Sequence, residues 1–158
     1  MRTVVIYDSK FGNTEKIAEA IARGVGAFGD VHVMSTAEAV SVAQALAGRP
    51  DLLFLGGPTQ KRAPSPALRA FIDALPATLK GVPAASFDTR YRGAVWLMGS
   101  AATEAAKVIG RAGGKLVAPP ESFFIERRGR LELQKLEPGA IERAEQWGHA
   151  AAAAAVTQ

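Results

Sequence analysis

The sequence predicts a single α/β domain in which a parallel sheet lies between two layers of helices. Short continuous apolar runs alternate with stretches of helical period along all 158 residues. The apolar runs are unbroken, as strands covered on both faces require. Neither an internal repeat nor a linker divides the chain, and one domain of this length can bury a two-sided core.

The elements follow in order. Thr3 to Tyr7 reads as a buried strand, and Asn13 to Val25 as a helix with Ile17, Ala18, Ile21, Ala22 and Val25 on one face. Val31 to Met34 gives a second strand. Ser35 and Glu38 have capping-box spacing ahead of a short helix carrying Ala39, Val42, Ala43 and Leu46. Leu52 to Leu55 is the third strand. Ser65-Pro66 then supplies an N-cap and a first-turn proline for a helix whose Leu68, Phe71, Ile72 and Leu75 form one stripe. Pro83 to Phe87 is the fourth strand, and Ala101, Ala105, Val108, Ile109 and Ala112 mark the next helical face. Lys115 to Ala118 and Phe123 to Ile125 read as two halves of a fifth strand, interrupted by Pro119-Pro120. The charged segment Glu126 to Gly139 reads as a surface excursion. A last helix, Pro138 to Ala155, is expected to bury Ile141, Ala144 and Trp147, and Trp96 is likewise expected to pack inside.

Composition narrows the chemistry. The chain has no cysteine, which excludes disulfides, thiolate metal sites and cysteine nucleophiles, and its two histidines, His32 and His149, lie far apart. No apolar run approaches the roughly 18 residues of a membrane span. The apolar run Val4, Val5, Ile6 follows Met1 too closely for a secretion signal, so a cytoplasmic location is expected. The formal charge is +4 and the pI about 9.7. Basic residues gather at Lys61/Arg62, Arg90/Arg92 and Arg127, Arg128 and Arg130. Nothing resembles a recognition helix, an RNA-binding sheet or a zinc module, so the charge reads as a solvated basic surface and not a nucleic-acid site.

In open parallel sheets, ligands bind beyond the carboxyl ends of the strands. The loops to inspect are therefore Asp8 to Thr14, Gly56 to Arg62 and Asp88 to Gly93. The first joins a buried strand to a helix. The free N–H groups and dipole of that helix make a phosphate site needing no cationic side chain. Gly12 permits a tight path, and Ser9, Asn13 and Thr14 offer short polar side chains. The plain alternative is an ordinary turn in which Asn13 or Thr14 caps the helix.

Ser9 to Thr14 and the Gly-x-Pro-Thr loop at Gly56 to Thr59 resemble the flavodoxin family, and the likeness covers nearly the whole chain in element order. The resemblance implies a doubly wound five-stranded parallel sheet in the order 2-1-3-4-5, with FMN as cofactor. By resemblance, Ser9, Lys10, Phe11, Gly12, Asn13 and Thr14 would bind its phosphate. Pro58, Thr59 and Gln60 would line one side of the flavin, and Asp88, Thr89, Arg90 and Tyr91 the other. The sequence departs from the family at Phe11, where a hydroxyl is common, and at Gln60, where an aromatic often stacks. It departs again in Phe87-Asp88-Thr89-Arg90, which replaces a glycine-rich acidic loop.

The expected function is electron transfer through FMN, with a redox partner bearing an acidic docking face. An FMN-dependent NAD(P)H oxidoreductase acting on quinones or similar acceptors is the alternative, and a flavin-free binding domain is a third reading. The string Gly24-x-Gly26-x-x-Gly29 mimics a dinucleotide fingerprint but ends a helix instead of opening one, so helix termination explains it. A phosphorylated receiver domain would need an aspartate where Gly56-Gly57 follows the third strand.

Overall fold

Strands β1 (Arg2–Tyr7), β2 (Asp30–Ser35), β3 (Leu52–Gln60) and β5 (Pro83–Arg90) lie parallel in the order β2-β1-β3-β5. The computed structural model describes residues 1–39, 41–75 and 79–158. The fifth strand position is filled in two pieces. β6 (Lys115–Leu116) pairs with Pro83 and Ala84, and β7 (Glu121–Phe124) pairs with Phe87 to Arg90. Prolines 119 and 120 stand between them, each lacking the N–H that a ladder needs. The expected order 2-1-3-4-5 is thus the observed one, with a further two-residue strand, β4 (Ala63–Pro64), folded antiparallel onto the end of β3.

Side-chain alternation divides the core in two. Val4 and Ile6 of β1, with Leu53 and Leu55 of β3, face α3 (Pro66–Asp73), α5 (Ala101–Arg111) and the single turn α2 (Val42–Ala45). Val5 and Tyr7, with Leu52, Phe54 and Phe87, face α1 (Asn13–Val25) and α6 (Ala140–Val156). Both sets are buried because a doubly wound sheet has no wet face, which is why the strands read as unbroken apolar runs. Among the described residues no helix is long and apolar enough to cross a membrane.

Two local expectations need correction. The reciprocal bonds of the Ser35–Glu38 capping box do form, at 3.2 and 2.7 Å. They close a turn, however, and α2 starts only at Val42, capped by Ser41. Trp96 lies outside the core on a helical turn not foreseen, α4 (Val95–Met98), and is 80% exposed. Trp147 is half-buried and packs against the core, edge-on to Phe54, Phe87 and Phe123.

The glycine string has two duties. Gly26 caps α1, as expected, but Gly24 sits inside α1 where α6 crosses it. A Cβ at Gly24 would lie 2.0 Å from the Glu145 carbonyl oxygen, and one at Gly148 would lie 2.6 Å from that of Ile21. The two backbones meet through these glycines. Gly24→Ala is expected to cost about 1–3 kcal/mol by overpacking, despite alanine's better helix propensity. Gly26→Ala, whose Cβ meets nothing within 4 Å, is expected to be neutral or slightly stabilising. Urea midpoints of the two variants test this, and equal midpoints would overturn the packing argument.

Candidate functional site

Because β1, β3 and β5 run parallel, the loops that leave them emerge at one edge of the sheet. With the excursion after β7 they enclose a cavity of about 320 Å³, towards the small end of cofactor pockets. Ser9, Lys10, Phe11, Asn13 and Thr14 form one wall; Pro58, Thr59, Gln60 and Lys61 form a second; Thr89, Arg90 and Tyr91 form a third. Of the expected residues only Gly12 and Asp88 are not among those lining it. Ile125 and Gln134, which the sequence reading missed, complete the lining.

The first loop is preset for an anion. Ser9 Oγ accepts from the Gly12 amide at 3.1 Å and from the Glu15 amide at 3.4 Å, which folds the loop onto the head of α1. Gly12 is left-handed, with φ +90°. A Cβ there would meet nothing within 4 Å, so backbone conformation and not crowding calls for glycine. First-turn amides of a 13-residue helix have no acceptor within the helix, and its dipole favours negative charge beside them. The Thr14 and Thr89 hydroxyls share a 2.8 Å hydrogen bond inside the pocket. Only one hydrogen is used in that bond, which leaves a hydroxyl to donate elsewhere. These features fit a phosphate group.

The side walls are braced from below. Asp88 is fully buried behind the cavity. Its Oδ2 accepts from Thr59 Oγ1 at 3.0 Å, Ser100 Oγ at 2.6 Å and the Ala102 amide at 3.1 Å. One carboxylate oxygen therefore ties the end of β3 to the head of α5. Arg90 lies 3.9 Å from the other oxygen and donates to Ser122 Oγ and to the carbonyls of Tyr91 and Gly93. Arg90 thus shapes its own loop, with the Asp88 carboxylate beside it. Glycines 56 and 57 are needed for packing, since Cβ atoms there would lie 2.4 Å from the Phe87 ring and 2.7 Å from Leu68.

The excursion after β7 folds back over the site. Ile125 bridges to Leu136, and the Glu126 amide bonds to the Lys135 carbonyl at 2.8 Å. Gln134 accepts from the Asn13 side-chain amide through its carbonyl at 2.9 Å and pairs with the Tyr91 hydroxyl through its side chain. Arg127 lies over the Tyr91 ring, 4.5 Å from its centre. Arg92 is paired with Glu137 at 2.8 Å, whereas Lys61 and Arg62 have no carboxylate within ion-pair distance among the described residues. Beneath the first wall, Tyr7 donates to Glu15 at 3.1 Å; burial, followed by the bond to this carboxylate, pushes its pKa up to about 12.

Comparison with known proteins follows the same lines. A family model described as Flavodoxin matches residues 5–147. Flavodoxin 1 from Bacillus cereus superposes with a TM-score of 0.77 at 19% identity, covering 100% of this chain and 99% of that one. A flavodoxin, WrbA-like protein from Agrobacterium tumefaciens gives 0.76 at 21% identity, covering 99% and 98%. Rubredoxin oxygen:oxidoreductase from Desulfovibrio gigas gives 0.77 at 16% identity, but there this chain spans only 36% of the other. No curated protein sequence matches the chain.

Proposed function

The chain belongs to the flavodoxin family and its cofactor is FMN; from that premise we propose that it is a reversible electron carrier. The observation that carries the reading is the cavity itself, with an anion-ready helix head at one end and walls formed by the loops after β3 and β5. The fit to the cofactor is residue by residue. The backbone around Gly12, the hydroxyl pair Thr14–Thr89 and Ser9 would hold the phosphate, while Pro58, Thr59, Gln60, Thr89, Arg90 and Tyr91 would line the ring. Bound FMN supplies the electron chemistry; the chain supplies orientation and the surrounding charge. Asp88 holds Thr59 in place, and Gln134 holds Asn13 and Tyr91.

The test is direct. The purified protein should show flavin absorption bands and should pass electrons between a reductant and a protein acceptor. It should not turn over NADH with a quinone faster than free FMN does. Saturable NADH:quinone turnover would replace the carrier reading with the oxidoreductase one.

Charge around the cavity gives a further expectation. With Arg90 beside Asp88 and Arg92 on Glu137, Lys61 is the cation on the β3 wall without a partner carboxylate among the described residues. A unit charge roughly 6 Å from a developing anion, at an effective dielectric near 40, is worth about 1.4 kcal/mol. For one electron this corresponds to about 60 mV, less in high salt. Lys61→Gln is therefore expected to make the second one-electron potential more negative by up to about that amount. Potentiometry decides it, and an unchanged potential with FMN still bound defeats the electrostatic argument.

A further inference from the structure

We infer that the Val95-Trp96-Leu97 ridge and the neighbouring Lys61-Arg62 turn form the docking surface for a partner protein, one whose redox centre lies behind an apolar face ringed by carboxylates. The inference rests on the carrier reading and names the partner's chemistry. Val95, Trp96 and Leu97 are 42%, 80% and 54% exposed. Single exposed apolar residues are ordinary, but three in succession with a tryptophan at their centre form a contiguous patch of the kind that marks contact surfaces.

The ridge is held and not loose. Arg62 donates to the Trp96 carbonyl at 3.2 Å. Gly99, at the end of α4, lies so close to the Arg62 backbone that a Cβ would sit 2.1 Å from its carbonyl oxygen. On the other side Met98 packs on Gly93, where a Cβ would lie 2.5 Å from its Cγ. The backbone of α4 is therefore pinned between the β3–β4 turn and the loop after β5, while Val95, Trp96 and Leu97 face solvent.

The turn carries a second sign of selection for contact. Lys61 and Arg62 both have positive φ, +47° and +69°. Two-residue hairpins with this backbone favour Asn-Gly, which adopts it without strain. Here two long cations occupy it instead, and strain retained beside a cofactor cavity points to function. Lys61 lines the cavity, so the basic turn joins the ridge to the cofactor's rim. Neither cation has a carboxylate partner among the described residues. Carboxylates on the incoming protein would supply one, steering the encounter, while Trp96 would act as the central apolar anchor.

NMR on the FMN-loaded, 15N-labelled protein tests this, with a small acidic b-type cytochrome as probe and a small basic c-type cytochrome as counter-probe. The Trp96 indole N–H should shift with the acidic probe, and that of Trp147 should not. The shift should fade as salt is raised, because exposed charges are screened. Trp96→Ser should weaken binding at least about tenfold, and Arg62→Gln should weaken it less while reducing its salt dependence. Neither residue lines the cavity, so FMN affinity should stay unchanged. In the reduced protein, one electron passes from the cofactor to each ferric haem iron, which becomes ferrous. Trp96→Ser should slow that step for the acidic cytochrome, with ferricyanide, which needs no docked surface, reduced as before. Equal response to the two cytochromes, or an unmoved Trp96, overturns the inference. So does a Trp96 shift produced by raising the protein's own concentration, which would assign the ridge to a second copy of the chain. Failure of the carrier reading looks different: neither cytochrome would be reduced, although the Trp96 shift with the acidic one remained.

Discussion

FMN is expected to bind at least about 100-fold more tightly than riboflavin, because losing two charge-assisted hydrogen bonds to phosphate forfeits about 3 kcal/mol or more. Both ligands carry the same ring and ribityl chain and differ only in the phosphate, so calorimetry with each tests the loop at residues 9–14. Ser9 already occupies the Gly12 and Glu15 amides, which leaves the Asn13 and Thr14 amides at the head of α1 and the Thr14–Thr89 hydroxyls as donors. Thr14→Val removes one of these and should cost about 1–3 kcal/mol of FMN affinity, with little change for riboflavin. Gly12→Val should weaken FMN further, since valine is strained at φ +90°. Equal affinities for the two ligands would show that the phosphate is not anchored here.

Removing the Asp88 carboxylate is expected to be among the most damaging single changes to stability, about 3–5 kcal/mol for Asp88→Ala, as for breaking one side of a buried ion pair. Three donors, from Thr59, Ser100 and Ala102, converge on one buried oxygen and would lose their acceptor together. Arg90 would keep its neutral partners at Ser122, Tyr91 and Gly93 but lose the only carboxylate beside it among the described residues. Asp88→Asn retains shape but offers no charge, and should fall between wild type and alanine. Urea unfolding of the protein freed of FMN is the proper measurement, since bound ligand adds its own stabilisation. A loss below about 1 kcal/mol would mean that the network is replaceable by water.

Most of the architecture was legible because the central strands β1, β3 and β5 are buried on both faces, which produces runs such as Leu52 to Leu55. The helix stripe Leu68, Phe71, Ile72 and the split at Pro119-Pro120 are equally local signals. What escaped notice depends on contacts distant in sequence, or on elements too short to show a period. α4 has four residues, so nothing announced that Trp96 would stand in solvent. The Lys61-Arg62 turn lacks the Asn-Gly signature of its backbone class. Gln134 reaches the site only because the excursion after β7 folds back, and it meets Asn13 from 121 positions away. Asp88 could be nominated from its place at a strand end, but its duty behind the wall follows from partners on β3 and α5.

The divided fifth strand has a consequence for life in a crowded solution. A sheet margin with a long row of free N–H and C=O groups invites another chain to add a strand, the first step towards aggregation. On this margin the row is cut into pieces of two and four residues, with two prolines between them that offer no N–H at all. Molecules that meet along this border find no continuous template to copy, and the one unbroken edge strand of the sheet is β2 on the opposite side.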